Sequence, residues 1–297
     1  MNEQRSRRRW RIFFVFLFFA YLTPPLYLLI NSFGTSGSDD SISTGSGKHT
    51  ALVSLKGVIS VGDKASASNI IAGLEAAFKN TNTVAVILEI NSPGGSPVQS
   101  AYIYDEIIRL RKAHPSTPIY TVVADIAASG GYFVASATDN IYVNKSSLVG
   151  SIGVRMDNFG FVELMKKIGV ERRLLTAGEN KGLLDPFLPE NENQKIHLQE
   201  MLNEVHQHFI TAVKNGRGDR LIENEGLFSG LIWTGEKAIK LGLVDDYGTI
   251  KSVSRAIVKV EKVVDFTPKG EFFDRIAERI GTVVSQQIQS YFNTRIN

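Results

Sequence analysis

From Ala51 onward the chain alternates short apolar runs with stretches of helical period. "ALVSLKGVIS" (51–60) predicts a strand, and "ASNIIAGLEAAFKN" (67–80) predicts a helix. "TVAVILEI" (83–90) is a continuous apolar run of strand length that ends on a turn signal. "PVQSAYIYDEIIRLRKA" (97–113) sets Val98, Ile103, Ile107 and Leu110 broadly on one side of a helix, and "PIYTVVAD" (118–125) is again a buried-strand run. This alternation predicts an α/β domain with a mostly parallel sheet covered by flanking helices. In such sheets, sites form beyond the carboxyl ends of strands. Further on, "IYVNKSSLVGSIGV" reads as short strands and turns, "GFVELMKKIG" as a helix, and "QKIHLQEMLNEVHQHFITAVKNG" as a long amphipathic helix. A last α/β piece follows "TGEKAIKLGLVDDYG". Beyond it, Phe272, Ile276, Ile280, Val284 and Ile288 recur every four residues as one apolar stripe. Glu271, Asp274 and Glu278 keep that stripe from being read as a membrane span, so it is expected to pack on the domain or on a second copy.

The start of the chain has a different pattern. Residues 12–30, "IFFVFLFFAYLTPPLYLLI", carry no charge. At 1.5 Å per residue they reach about 28 Å, which matches a hydrocarbon core of roughly 30 Å. A cleaved signal peptide is the rival reading, but no small-x-small site follows Ile30. An uncleaved transmembrane helix is therefore expected, with Pro24 and Pro25 loosening its far end. Five arginines and one glutamate in residues 1–11 orient it with the N-terminus inside and everything after residue 30 outside. The formal charge of +3 comes from this tail, so the folded part gives no case for binding nucleic acid. Residues 31–48, almost all Ser, Gly, Thr, Asp and Asn, bury too little apolar surface to order themselves and read as a tether. Cysteine is absent, which removes disulfides and thiol chemistry from consideration.

Two glycine turns follow strand-like runs. In "EINSPGGSP" (89–97), Pro93 stops a continuing ladder and the paired glycines permit conformations closed to other residues. Amides at such a turn can converge on a developing oxyanion, although a tight strand-to-helix turn accounts for Pro-Gly-Gly equally well. In "ADIAASGGYFVASATDN" (124–140), Ser129 stands before the helix-like "GGYFVASATD". It is either an N-cap or a nucleophile displayed at a helix N-terminus, with the Gly130 amide placed to assist; the local pattern fits both.

A nucleophilic serine needs a base. His49 lies in the tether, His114 at a helix end before proline, and His197, His206 and His208 on the long amphipathic helix, where solvent exposure is expected. None adjoins a glycine turn or an aspartate in a way that suggests a triad. Lysine is the remaining candidate, provided that burial and neighbours leave its amine neutral. "TAGENKGLLDPF" (176–187) sets Lys181 between turn residues and the apolar Leu183, Leu184 and Phe187. A solvated surface lysine is the plain alternative. Solvation is likewise expected for Glu179 and Asp185.

Together these segments resemble the signal peptide peptidase A family, membrane-anchored serine peptidases of the crotonase and Clp-protease-like fold group. The matching blocks are "NSPGGS", "ASGGYFVASATDNIYVN", "GSIGVR", "GENKGLLDPF" and "LFSGLIWTGEKAIKLGLVDDYGTI", in the family's order. The resemblance implies Ser129 as nucleophile, Lys181 as general base and Ser151 as a serine that hydrogen-bonds the lysine. It implies an oxyanion hole from Gly130 and the PGG loop, with Gly95 preferred to Gly94. No cofactor or metal is called for. The implied organisation is a cytoplasmic tail (1–11), an anchor (12–30), a linker (31–50), a peptidase domain (51–262) and a C-terminal segment (263–297). One serine block and one lysine block match the short members, which implies a homo-oligomeric ring whose sites draw Ser129 and Lys181 from adjacent protomers. Expected substrates are hydrophobic extended peptides such as signal-peptide remnants, cut at the outer face of a bacterial cytoplasmic membrane. Rival readings are a crotonase-like enzyme acting on acyl-CoA, which the export topology disfavours, a non-catalytic membrane scaffold of the same fold, and a peptidase for misfolded or membrane proteins.

Overall fold

The computed structural model describes residues 47–268. The anchor at 12–30, the basic tail, most of the linker and the apolar stripe from Phe272 lie outside them. Among the described residues, no helix is long and apolar enough to cross a membrane.

Strands β1 (His49–Lys56), β2 (Thr83–Ser92) and β3 (Ile119–Ala128) form the parallel centre of a sheet. The helices that follow them are α1 (Ala67–Lys79), α2 (Pro97–Ala113) and α3 (Gly130–Ala135). β3 has two partners in succession on one edge. Its first half pairs with β4 (Asn140–Val143) and its last residues, Ile126–Ala128, pair with β5 (Leu148–Gly150). After α4 (Val162–Ile168) and the long α5 (Glu192–Arg217), β6 (Ile232–Thr234) adds to β5 as the one antiparallel pairing among the described strands. α6 (Gly235–Lys240), β7 (Asp246–Tyr247), the helical turn α7 (Ile250–Ser252) and β8 (Val263–Asp265) complete the order. β7 lies beside β4, and β8 beside β1.

Alternation along the central strands sorts the two faces of the sheet. Val53, Leu55, Val86, Leu88 and Ile90 join Ile70, Leu74, Ile103, Ile107 and Tyr132 of the helices in one large core. Ile87 and Val122 point the other way and meet Tyr142 and Val253 in a small second cluster. Each fully buried Ile or Leu contributes roughly 1.5–3 kcal/mol, so the helix-covered face dominates the stability of the sheet. Of the four residues expected on the inner side of α2, Ile103, Ile107 and Leu110 are buried. Val98 is 55% exposed, and Ser100 takes the inward position in the first turns. β1 starts two residues before the expected start of the domain. His49 is a buried strand residue, hydrogen-bonded near Thr83 Oγ1 and stacked on Phe266, and is not part of a tether.

A buried charge pair closes the domain. Arg217, 1% exposed, makes two hydrogen bonds to Asp245, 2.8 and 2.9 Å, and a third to the Gly242 carbonyl. Asp245 also accepts from the Ile141 amide and from Arg220, while Tyr132 Oη donates to Leu243 O at 2.6 Å. Burial opposes ionisation of Asp245, but hydrogen bonds and charge from Arg217, with help from Ile141 and Arg220, hold its carboxyl below the usual range. One segment, 242–247, is thereby tied to α3, β4 and α5.

Asp245→Ala should destabilise the domain by about 3–5 kcal/mol, because it leaves a buried guanidinium unpaired; thermal melts would measure the fall in Tm. A carboxyl with a lowered folded pKa stabilises fully above its unfolded value of about 3.9 and loses that contribution as pH falls through the folded value. Acidification from about pH 5 to about pH 3 should therefore lower Tm more in the wild type than in Asp245→Ala.

Candidate active site

Ser129 stands between the end of β3 and the start of α3, with φ 51° and ψ −125°. An N-cap residue is normally extended and bonds the first turn through its side chain. Ser129 has neither property: its side chain makes no capping bond. Its backbone is held instead, the amide donating to Gly150 O at 2.8 Å and the carbonyl accepting from Phe133 at 2.9 Å. Positive φ at a non-glycine residue is strained, of order 1–3 kcal/mol, and persists only where surrounding contacts enforce it. The half-buried hydroxyl is left without a partner among the described residues.

The PGG loop supplies one enforcing contact. A Cβ at Gly94, where φ is +100°, would stand 2.6 Å from Gly130 N, 2.8 Å from Ser129 Cβ and 2.9 Å from Ala128 O. The loop is anchored to residues 57–60, since Ile59 N donates to Gly94 O and Ser96 N donates to Ile59 O. Gly94 N–H is occupied by Ser92 Oγ at 3.1 Å. The amides of Gly95 and Gly130 have no protein acceptor among the described residues, and a Cβ at Gly130 would lie 3.3 Å from Gly95 N. Two amides without an acceptor among the described residues thus lie close together next to Ser129. Unpaired backbone amides of this kind are the groups from which an oxyanion hole is built.

Ser151 comes to the same junction by strand register. Ala128 pairs with Gly150, so Ser129 and Ser151 follow directly at the carboxyl ends of neighbouring parallel strands. Ser151 also has φ 51°, with its amide donating to Leu231 O at 2.7 Å. Ser129, Ser151, Gly94, Gly95 and Gly130 are therefore brought together. Lys181 is not among them. It is exposed in a run of turns between α4 and α5, where its amide donates to Gly178 O. No hydrogen bond or ion pair among the described residues joins it to Ser129 or Ser151.

The segment that carries Lys181 has its own supports. Arg172 donates to Asp185 at 2.9 Å, and Asp185 caps the Phe187 amide at 3.0 Å. These hydrogen bonds, Arg172 first, hold the Asp185 carboxyl below the usual range, so it is a bound group and not the solvated one expected. Phe187 stacks on Phe161, Asn158 donates to Leu184 O, and Gln194 of α5 donates to Asn180 Oδ1. A cavity of about 970 Å³ opens between α4, this segment and the first half of α5, with Leu174, Leu183, Leu198 and Leu202 in its wall.

Of the histidines, His197 and His208 are exposed as expected and His114 packs on Phe78. None touches Ser129. His206 departs from expectation: it is half-buried, with Nε2 3.1 Å from the carbonyl of Ile152, the residue after Ser151. Its spacing to the buried Phe209, Val213 and Arg217 was the available signal, at intervals of 3, 7 and 11 residues along one helix face.

Gly94→Ala should disrupt this junction even in a folded chain, because the new methyl group collides with backbone that cannot move aside. Turnover of a peptide substrate should fall by about 10²-fold or more with a modest change in Tm; an Ala variant with wild-type turnover would contradict the packing described.

Comparison with known proteins identifies the family. Residues 111–264 match peptidase family S49 and residues 50–147 match Clp protease. The chain is 50% identical over 182 residues to the Na(+)/H(+) antiporter NhaA of Brucella abortus, which covers 61% of this chain and 25% of that protein. It is 35% identical over 187 residues to the putative protease MJ0651 of Methanocaldococcus jannaschii, 63% of this chain and 58% of that protein. It is 32% identical over 182 residues to the putative signal peptide peptidase SppA of Enterococcus faecium, 61% of this chain and 52% of that protein. The chain thus spans a quarter of the Brucella protein and between half and three fifths of the other two. With a mostly parallel, helix-flanked sheet of Clp-protease type and more than half its length matched, the chain belongs to peptidase family S49.

Proposed function

We propose that the protein is a serine endopeptidase with Ser129 as nucleophile and the amides of Gly95 and Gly130 as its oxyanion hole. The observation that carries this reading is the unbonded Ser129 hydroxyl, on a strained residue, beside two amide donors that have no acceptor. A neutral Lys181 Nζ accepts the Oγ proton as Oγ attacks a peptide carbonyl. The oxyanion is held by the two amides while the lysine returns its proton to the leaving amine. Water, deprotonated by the same lysine, then hydrolyses the acyl-enzyme and frees Ser129. Ser151 serves by orienting the lysine.

The base comes from an adjacent copy of the chain in this proposal. Supporting this, Asn180 is tied to Gln194 and Ile152 to His206, twelve residues apart on α5. That separation is about 18 Å of helix, longer than a lysine side chain. The substrates proposed are apolar extended peptides, including signal-peptide remnants. Val58 and Val61, which flank Ile59 of the bridge to Gly95, and Val98 and Tyr102 on α2, which follow the oxyanion loop in sequence, are exposed apolar groups. The name of the Enterococcus relative is in keeping with this class. The uncharged run at 12–30 after an arginine cluster supports anchoring in the cytoplasmic membrane with the domain outside.

The test mixes two full-length variants, Ser129→Ala and Lys181→Ala, and follows cleavage of a fluorogenic apolar peptide. Each alone should lose about 10³-fold or more in kcat. Mixed in equal amounts they should regain activity in roughly a quarter of the sites of a randomly assembled ring. Activity in pure Ser129→Ala would refute the nucleophile, and two dead variants with no recovery would refute the sharing.

A further inference from the structure

We propose that His206 is a positioning residue of the Ser129 junction, acting through its hydrogen bond to Ile152 on the placement of Ser151. The inference rests on the reading above that Ser151 serves the reaction at Ser129.

Ile152 O is an acceptor, so His206 must donate, and Nε2–H is the atom at 3.1 Å. The bond meets the chain where β5 ends. Upstream, Gly150 O receives the Ser129 amide, and Ser151 N donates to Leu231 O. Ile152 itself is fully buried, while residues 155–161 beyond it are exposed and have no regular structure. The strained backbone of Ser151 therefore sits just past the last strand pairing, before an irregular stretch, and strain of that kind persists only where surrounding contacts enforce it. His206 supplies the contact on the downstream side. It does so from α5, whose Phe209, Val213 and Arg217 root the same face in the core. If the bond is lost, Ser151 can relax toward an ordinary conformation and its hydroxyl turns away from the position beside Ser129. The sheet is untouched by that change, so folding and peptide binding should persist.

Kinetics of the full-length chain with a fluorogenic apolar peptide would decide this. His206→Glu and His206→Gln are matched in shape, but ionised Glu presents only acceptors to the Ile152 carbonyl, whereas Gln presents an N–H. His206→Glu should lower kcat about tenfold or more, with KM within about twofold of wild type, and His206→Gln should restore most of the loss. In a Ser151→Ala background, His206→Glu should add little further loss, because both changes remove the same placed hydroxyl. Wild-type kcat in His206→Glu, equal loss in Gln and Glu, or losses that multiply with Ser151→Ala would each overturn the proposal. A Ser151→Ala variant at wild-type rate would overturn it too, by removing the group on which His206 is meant to act. None of these outcomes touches the peptidase reading, which falls only if Ser129→Ala stays active.

Discussion

The candidate active site depends on a single close approach, that of the Gly94 backbone to Ser129 and Gly130. The gap there is narrower than a methyl group, so one loop holds three things at once. It pins Ser129 in a backbone conformation that serine does not choose. It crowds the Ser129 Cβ, which would lie 2.8 Å from a methyl group placed on Gly94. It also sets Gly95 N–H beside Gly130 N–H, two dipoles that would otherwise scatter. Ser92, fully buried at the end of β2, completes the arrangement by engaging the Gly94 amide and leaving the next one free. The chemistry therefore belongs to packing between two loops at the ends of β2 and β3, and the register of β5 brings the third.

Stability and site geometry are handled by different parts of the chain that meet on α5. Its last turns carry Arg217 into the core, where the pair with Asp245 ties the C-terminal segment to α3 and β4. Its middle carries His206 to the end of β5, and its first turn reaches the segment with Lys181 through Gln194. The helix is rooted at one end and projects at the other, since its buried residues Phe209, Ala212, Val213 and Arg217 all lie in its final third. Lys181 sits on a lobe that has its own aromatic stack, ion pair and cavity, and among the described residues no hydrogen bond joins it to Ser129.

Much of the sheet was legible in the sequence because long strands and helices impose a period on the residues that bury them. "TVAVILEI" and "PVQSAYIYDEIIRLRKA" fall within one or two residues of β2 and α2. β4, β5 and β6 are three or four residues long, too short for any period, and their pairing with β3 and with each other had no local signature. The choice at Ser129 between cap and nucleophile was not legible for a related reason. Its φ is set by Gly94 and Gly150, which are distant in sequence, and a local pattern carries no record of them. Asp185 and His206 were misread as solvated because their partners, Arg172 and the Ile152 carbonyl, arrive through tertiary structure. In each case the residue type was visible and the contact was not.

The ends of the sheet follow a simple rule. The long strands β1, β2 and β3, of 8, 10 and 10 residues, are internal, while the terminal strands among the described residues, β6, β7 and β8, have three, two and three. An edge of three residues offers few unpaired amides and carbonyls to another extended chain. A long exposed edge can act as a template for unfolded segments, growing strand by strand into an aggregate. Among the described strands the surface that could nucleate such growth is cut short, so an extended chain finds few open backbone groups to zip onto.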